Sequence, residues 1–237
     1  MHFIFGYERY LRFFSIIKIR TLYLDKRKSD FLFFNSLIDE DATILVIGAC
    51  TGITTVPLGK GKEKRKIIAY EPLGSNFKVL ESLITFFRLN NVVIYNVGLG
   101  NHKEKREIIL PVYKGVKKQG MAHIKDDSIL EYNEGISEFI DLDVLDNREE
   151  LNKIKIDAIK IVAENFEFQI FQGARQLIEL NKPLIYCELW DNNRRDLVID
   201  LIKNYDYEVF FRSENQMIPF TRNNYSGKNF FFKPILK

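Results

Sequence analysis

Hydrophobic and polar positions along the chain switch between two periods, and the switching predicts an α/β order. Phe3, Tyr7, Tyr10, Leu11, Phe14 and Ile17 recur at helical spacing, with Glu8, Arg9, Arg12, Ser15 and Lys18 mostly on the other side. Residues 25–30 form a charged joint, and a second short helix is expected over residues 30–38. At residues 43–47 the pattern becomes an unbroken apolar run, Thr-Ile-Leu-Val-Ile, which suits a strand buried on both faces of a parallel sheet. The run stops at Gly48-Ala-Cys-Thr-Gly52, a tight turn, and residues 53–58 can open a helix. A second strand is expected over residues 66–70; Pro72 cannot continue a ladder, so the strand ends at Glu71-Pro72. Next come a helix over residues 75–89, with Phe77, Leu80, Ile84 and Phe87 inward, and a third strand over residues 92–97 that Gly98 and Gly100 end.

Residues 101–147 are less regular and read as an insertion over the sheet. They hold strands near 107–112 and 139–145 and a basic loop at 114–119. The rhythm then returns. A strand is predicted over 156–162, a helix over 166–180 with Ile170, Ala174, Leu177 and Ile178 inward, a strand over 183–188 and a helix over 194–204. Residues 207–212 and 229–232 are expected to close the sheet as an antiparallel pair. Strand–helix alternation of this kind is the signature of a doubly wound sheet. Residues 1–40 are expected to form a helical cap and residues 41–237 the α/β domain.

Composition narrows the function classes. The chain has 237 residues, 46% of them apolar, enough for a sizeable core. Lys plus Arg number 35 against 32 Asp plus Glu, a net charge of +3 that argues against a nucleic-acid partner. Two cysteines give neither a disulfide framework nor a metal spacing, and the three histidines are scattered, so no metal site is predicted, with Mg²⁺ held by carboxylates alone left open. A cytoplasmic location is expected. No uncharged run reaches the ~18–20 residues of a spanning helix. Residues 1–20 have two readings: a helix capping the core, or an aromatic and basic helix touching a membrane surface.

Ligands of an open parallel sheet bind beyond the carboxyl ends of its strands. Three features fall there. The first is the glycine turn, whose Gly48, Ala49, Cys50 and Gly52 let a ligand approach the backbone. The second is Glu71, about twenty residues on, a carboxylate placed to hold a ribose diol. Together they argue for a nucleoside-bearing cofactor. The third is the acidic segment with Glu164 and Glu167, followed by Glu188 at the next strand end. These acids could line a pocket, or simply start the following helix. Lys160 is expected to pair with a carboxylate.

Gly48-Ala-Cys-Thr-Gly52, Ala69-Tyr-Glu-Pro72, Asn96-Val-Gly-Leu-Gly100, Leu145-Asp-Asn147, Ile159-Lys-Ile-Val-Ala-Glu-Asn-Phe-Glu167, Gly173-Ala174 and Lys182-Pro-Leu-Ile-Tyr-Cys-Glu188 fall in the order and spacing of FkbM-type methyltransferases, which this chain resembles over residues 41–232. The resemblance implies a Rossmann-like fold of the class I type, S-adenosylmethionine as cofactor, and methylation of a hydroxyl on a small acceptor such as a carbohydrate. It implies cofactor contacts from Gly48, Ala49, Cys50, Gly52, Glu71, Pro72, Asn96 and Gly98. Candidate bases are Glu164, Glu188 and His123. Two departures stand out: Val46 and Val162 occupy positions where the family usually carries Asp. They leave open a second reading, a catalytically impaired relative that binds cofactor or a partner only. A dinucleotide oxidoreductase is disfavoured because the three-glycine pattern is absent.

Overall fold

A computed structural model describes residues 6–126, 129 and 132–235. Its main sheet has eight strands in the order β12-β11-β13-β10-β9-β1-β2-β3. These are β1 (Thr43–Ile47), β2 (Lys66–Tyr70), β3 (Val92–Tyr95), β9 (Ala158–Ile161), β10 (Leu184–Glu188), β11 (Tyr207–Ser213), β12 (Gln216–Pro219) and β13 (Asn229–Pro234). The five strands from β3 to β10 run parallel; β13, β11 and β12 are antiparallel. Every residue of β1 is buried, as expected for a central strand covered on both faces. Strand order reverses between β1 and β9, and the carboxyl edge there is where a ligand crevice forms.

Helices cover both faces. They are α1 (Tyr7–Arg20), α2 (Ser29–Ser36), α3 (Thr55–Gly59), α4 (Gly74–Phe86), α5 (Glu167–Gln172), α6 (Arg175–Asn181) and α7 (Asn193–Lys203). One face of the sheet packs Ile44, Val46, Ala69 and Tyr186 against Leu11, Phe31, Phe34 and Leu80. The other packs Leu45, Ile47, Ile159 and Phe232 against Phe171, Ile178 and Ile199. Ile170, Ala174, Leu177 and Ile178 all face inward as the periodicity predicts.

Several expectations need correction. The described residues of 101–147 are more regular than expected, and the strands expected near 107–112 and 139–145 are present. With residues 98–100 they form a second sheet, β4-β8-β5-β6, from β4 (Gly98–Gly100), β5 (Glu104–Tyr113), β6 (Val116–Lys117) and β8 (Gly135–Val144), with β7 (His123–Ile124) also on β5. Gly98 and Gly100 therefore lie within a strand. The β5–β8 ladder pairs Glu104 with Leu142 through to Pro111 with Gly135. The helix expected over 166–180 is two helices broken at Gly173-Ala174, because Gly173 lies against the next layer: a Cβ there would stand 2.0 Å from the Gly100 carbonyl oxygen. The closing antiparallel pair forms as expected between β11 and β13, and β12 extends it by a third strand on β11.

Two helix faces are rotated from expectation. The inner stripe of α1 is Leu11, Ser15 and Ile19, with Phe14 and Ile17 exposed. That of α4 is Asn76, Val79, Leu80 and Leu83. Ser15 faces inward because its hydroxyl has a partner: Oγ donates to Thr51 Oγ1 at 2.9 Å. Phe3 of the expected α1 stripe lies outside the described residues. Among the described residues no helix is long and apolar enough to cross a membrane.

Candidate functional site

A cavity of about 530 Å³ opens along the carboxyl ends of β1, β2, β9 and β10, within the size range of small-ligand sites. Its lining comes from the 48–51 bend, the end of β2, the 119–124 loop, the ends of β9 and β10, and Lys28 and Phe31 beside α2.

The bend is a left-handed excursion. Gly48, Cys50 and Gly52 have φ of 73°, 51° and 89°. Gly48 is also fixed by contact, since a Cβ would stand 1.9 Å from the Val162 carbonyl oxygen. Four of the bend's amides are satisfied within the protein. Gly48 N and Ala49 N donate to Tyr70 O at 3.1 and 3.0 Å, and Gly52 N donates to Ala49 O at 2.9 Å. Cys50 N donates to Glu71 Oε2 at 2.7 Å. These amides are therefore not available to a phosphate. The bend suits a ligand without a pyrophosphate at this point, and its neighbouring carboxylate repels one.

Glu71 is buried, and its other oxygen, Oε1, accepts from Leu73 N at 3.0 Å and Asn76 Nδ2 at 3.2 Å. Burial raises its pKa against those hydrogen bonds. With one donor on Oε2, that oxygen keeps a lone pair for a ligand hydroxyl. Beside it, Asn76 Oδ1 is buried on the cavity wall with no partner among the described residues. A buried acceptor in that state is a cost unless a ligand donor meets it.

At the other end stand Lys160, Glu164, Glu188, Trp190, Lys228 and His123. Glu164 sits in a left-handed conformation (φ 46°), followed by Asn165 (φ 75°), which turns its carboxyl toward the cavity wall. Burial, then the charges of Glu188 and Glu167, push it up to about 8. Trp190 Nε1 donates to its Oε2 at 3.1 Å. Glu167, pushed up to about 7 by burial, accepts from Ala163 N at 2.9 Å and closes the turn from behind. Lys160 does not pair with a carboxylate as expected: among the described residues it donates to Gly48 O at 3.2 Å. Burial, then the nearby Lys28, brings it down to about 8. The Cys50 thiol is pushed up to about 12 by burial and by Glu71, so it stays neutral.

The cavity thus brings together Gly48, Ala49, Cys50, Glu71, Pro72, Gly98, His123, Glu164 and Glu188. Gly52 and Asn96 stand outside its lining. A Cβ on Gly52 would come within 2.8 Å of Leu80 Cδ1, while Asn96 Nδ2 holds Glu71 O and Pro72 O at 2.8 and 3.0 Å. His123 is buried with both ring nitrogens near partners, Met121 O at 2.9 Å and Asn133 Oδ1 at 3.3 Å, an arrangement that fixes its loop. Val46 is fully buried in the apolar layer on the helix α1–α2 side and does not line the cavity; Val162 does. Asn76, Lys28 and the Ser15–Thr51 contact carried no sequence signal. Trp190, the single tryptophan and two residues past Glu188, could have been noticed. Among the described residues no group of three or more His, Cys, Asp and Glu stands close enough to hold a metal ion.

The methyltransferase FkbM domain pattern matches residues 47–209. No curated protein matches the chain. Among solved structures, an FkbM methyltransferase from Methylobacillus flagellatus KT has a TM-score of 0.53 at 15% identity, over 83% of this chain and 45% of that one. An S-adenosylmethionine-dependent O-methyltransferase from Thermotoga maritima has 0.52 at 13% identity, over 90% and 66%. An rRNA methylase from Streptococcus thermophilus has 0.48 at 10%, over 86% and 94%. The chain spans less than half the length of the first and about two thirds of the second. At these identities the likeness to the first two establishes the fold.

Proposed function

Because the chain belongs to the FkbM methyltransferase family, we propose that it transfers a methyl group from S-adenosylmethionine to a hydroxyl oxygen of a sugar or similar small acceptor. The observation that carries this reading is the junction of the 48–51 bend, Glu71 and the unpartnered Asn76 Oδ1 on one cavity wall. The residues fit a nucleoside. Glu71 Oε2 and Asn76 Oδ1 offer acceptors for ribose or amino hydrogens, and Pro72 and Gly98 flank the same wall. When bound, the cofactor supplies an electrophilic methyl group on a cationic sulfonium.

The chain's own task is then alignment and proton removal. Glu164 is the base of choice. Its raised pKa makes it a better proton acceptor than an ordinary carboxylate, and the Trp190 N–H holds its far oxygen. Glu188 adds negative charge beside it, favourable to a cation in the cavity. His123 is better suited to holding the 119–124 loop over the cavity than to taking a proton. Two free cysteines are consistent with a reducing, cytoplasmic setting.

The test is calorimetry with S-adenosylmethionine, followed by turnover on sugar, small phenol and RNA acceptors. Neither heat nor a thermal shift at millimolar cofactor would sink the reading, and methylation of RNA alone would move the acceptor class. Two observations favour the impaired alternative: three protein donors already converge on Glu71, and Val162 lines the cavity where the family usually carries Asp. Cofactor binding without turnover on any acceptor supports that alternative.

A further inference from the structure

Helix α1 is apolar on two opposite faces. The inner stripe packs on the domain, and the outer one faces solvent. At 3.6 residues per turn, Phe13 and Ile17 project about 160° and 200° around the axis from the buried Ser15, directly away from the core. Phe13 is 56% exposed and Ile17 45%. Phe14 lies beside them, and Tyr23 and Leu24, 72% and 67% exposed, continue the strip past the helix end. Basic groups flank it. Arg9 and Arg20 project about 120° and 140° from Ser15 on one side, and the Lys18 ammonium lies 5.8 Å from the Phe14 ring centroid on the other. Arg12 covers the exposed ring of Phe86 at 5.4 Å.

Charge is partitioned along the chain in the same way. Residues 1–28 hold seven Lys and Arg against two Asp and Glu, while the rest hold 28 against 30. The whole positive excess of this +3 chain is in the segment that carries the exposed aromatics. One of the two acids, Asp25, is already paired with Arg27 at 2.8 Å and Lys18 at 3.6 Å. A second copy of the chain is a poor occupant, because a twofold contact would press two such cationic segments together. An anionic surface that accepts aromatic side chains is complementary in both respects.

We infer that the outer face of α1, with Tyr23 and Leu24, is a peripheral docking surface for an anionic lipid bilayer. Aromatic and aliphatic side chains enter the headgroup region while Arg9, Arg20 and Lys26 meet lipid phosphates. Ser15 and Thr51 tie the inner face of the same helix to the cavity bend, and Lys28 lines the cavity. Docking therefore sets the cavity beside the interface. The inference does not depend on methyl transfer.

The experiment is co-sedimentation of the full chain with vesicles of phosphatidylcholine alone or with about a third phosphatidylglycerol. Retention on the anionic vesicles only, lost near 0.5 M salt where the screening length is only a few ångströms, is the expected result. The F13S/I17S/L24S variant should lose roughly tenfold or more of its binding, and R9Q/R20Q roughly thirtyfold at about 1 kcal/mol per cation. Both change exposed side chains, and an unchanged melting curve confirms that they fold. No retention, equal retention on neutral vesicles, or wild-type retention by F13S/I17S/L24S overturns the inference. So does a dimer in light scattering that F13S/I17S/L24S abolishes, since a second copy would then cover the face.

Discussion

Replacing Glu71 by Gln asks whether the cavity bend is held by this one carboxylate. Three donors converge on it: Cys50 N at 2.7 Å, Leu73 N at 3.0 Å and Asn76 Nδ2 at 3.2 Å. A glutamine offers one oxygen and one NH₂. With the NH₂ in the place of Oε2, the Cys50 amide faces a donor. With it in the place of Oε1, the Leu73 amide does, although Asn76 can turn to present its unpartnered Oδ1. Either arrangement leaves one buried backbone N–H unpaired, a cost of about 1–3 kcal/mol. Removing a charge that burial already disfavours returns part of this, so the expected net loss is about 1–2 kcal/mol. Glu71→Ala removes all three bonds and opens space beside the bend, about 3–5 kcal/mol. Urea unfolding at neutral pH reads both values as midpoint shifts at constant slope. Calorimetry on Glu71→Gln should show cofactor affinity lower by roughly tenfold or more, the equivalent of one lost hydrogen bond to a charged group. An alanine variant within about 0.5 kcal/mol of wild type, the range of an ordinary surface change, would refute the role assigned to this network.

Three further changes probe other parts of the molecule. If Glu164 is the base, turnover rises with pH up to about 8 and then levels, and Glu164→Gln lowers it by ~10²–10⁴ with cofactor affinity retained; a flat pH profile would exclude the role. The same group has a stability signature. Its folded pKa lies above the ordinary 4.5, so its contribution is full below that value and is lost as pH rises toward 8. Glu164→Gln should therefore gain about 1–3 kcal/mol on wild type at pH 8.5 relative to pH 4.5, read by melting at both. Val46→Asp places a carboxylate laterally beside Lys160, its register partner on β9. The loss should be about 1–2 kcal/mol with Lys160 present and about 3–5 kcal/mol in V46D/K160M, where the new charge is unpaired; additive losses in the double-mutant cycle would show that the two side chains do not meet. Arg65 is fully buried and donates to Asp39 O at 2.8 Å, Asn35 Oδ1 at 2.6 Å and Ile38 O. Arg65→Met leaves these acceptors unpaired and should cost about 3 kcal/mol or more in urea unfolding.

What the amino-acid sequence disclosed depended on how strongly one face dominates each element. β1 reads clearly because all five residues are buried, so no register question arises. α1 reads as a helix but not as a face, since apolar residues occupy both sides and the inner stripe includes a serine whose partner, Thr51, lies 36 positions away. The second sheet was legible only in part: the strands expected near 107–112 and 139–145 are β5 and β8, but their pairing and face were not. β8 buries Ile140 and Leu142 but exposes Phe139 to 74%, so its large aromatic marks the wrong side. Lys160, late in its strand, reads as a carboxylate partner but donates to a backbone oxygen. Its neighbours are Val46 and Tyr186, which only the strand order supplies.

The same distinction separates the two ends of the cavity. Ile47 and Tyr70 are register partners, and β1 and β2 are joined by one crossover. The residue after Tyr70 must therefore lie beside the residues after Ile47, and Glu71 meets Cys50 as a matter of chain geometry. Any doubly wound chain with a glycine bend and an acid at these two strand ends inherits that contact. Glu164 and Glu188 face the bend only because β9 crosses to the far side of β1 and β10 follows it. That crossover passes through the strands of the second sheet, so no short-range signal reports where it lands. The wall at the glycine bend and Glu71 is thus readable from one βαβ unit, whereas the wall at Glu164 and Glu188 is readable only once the order of four strands is known.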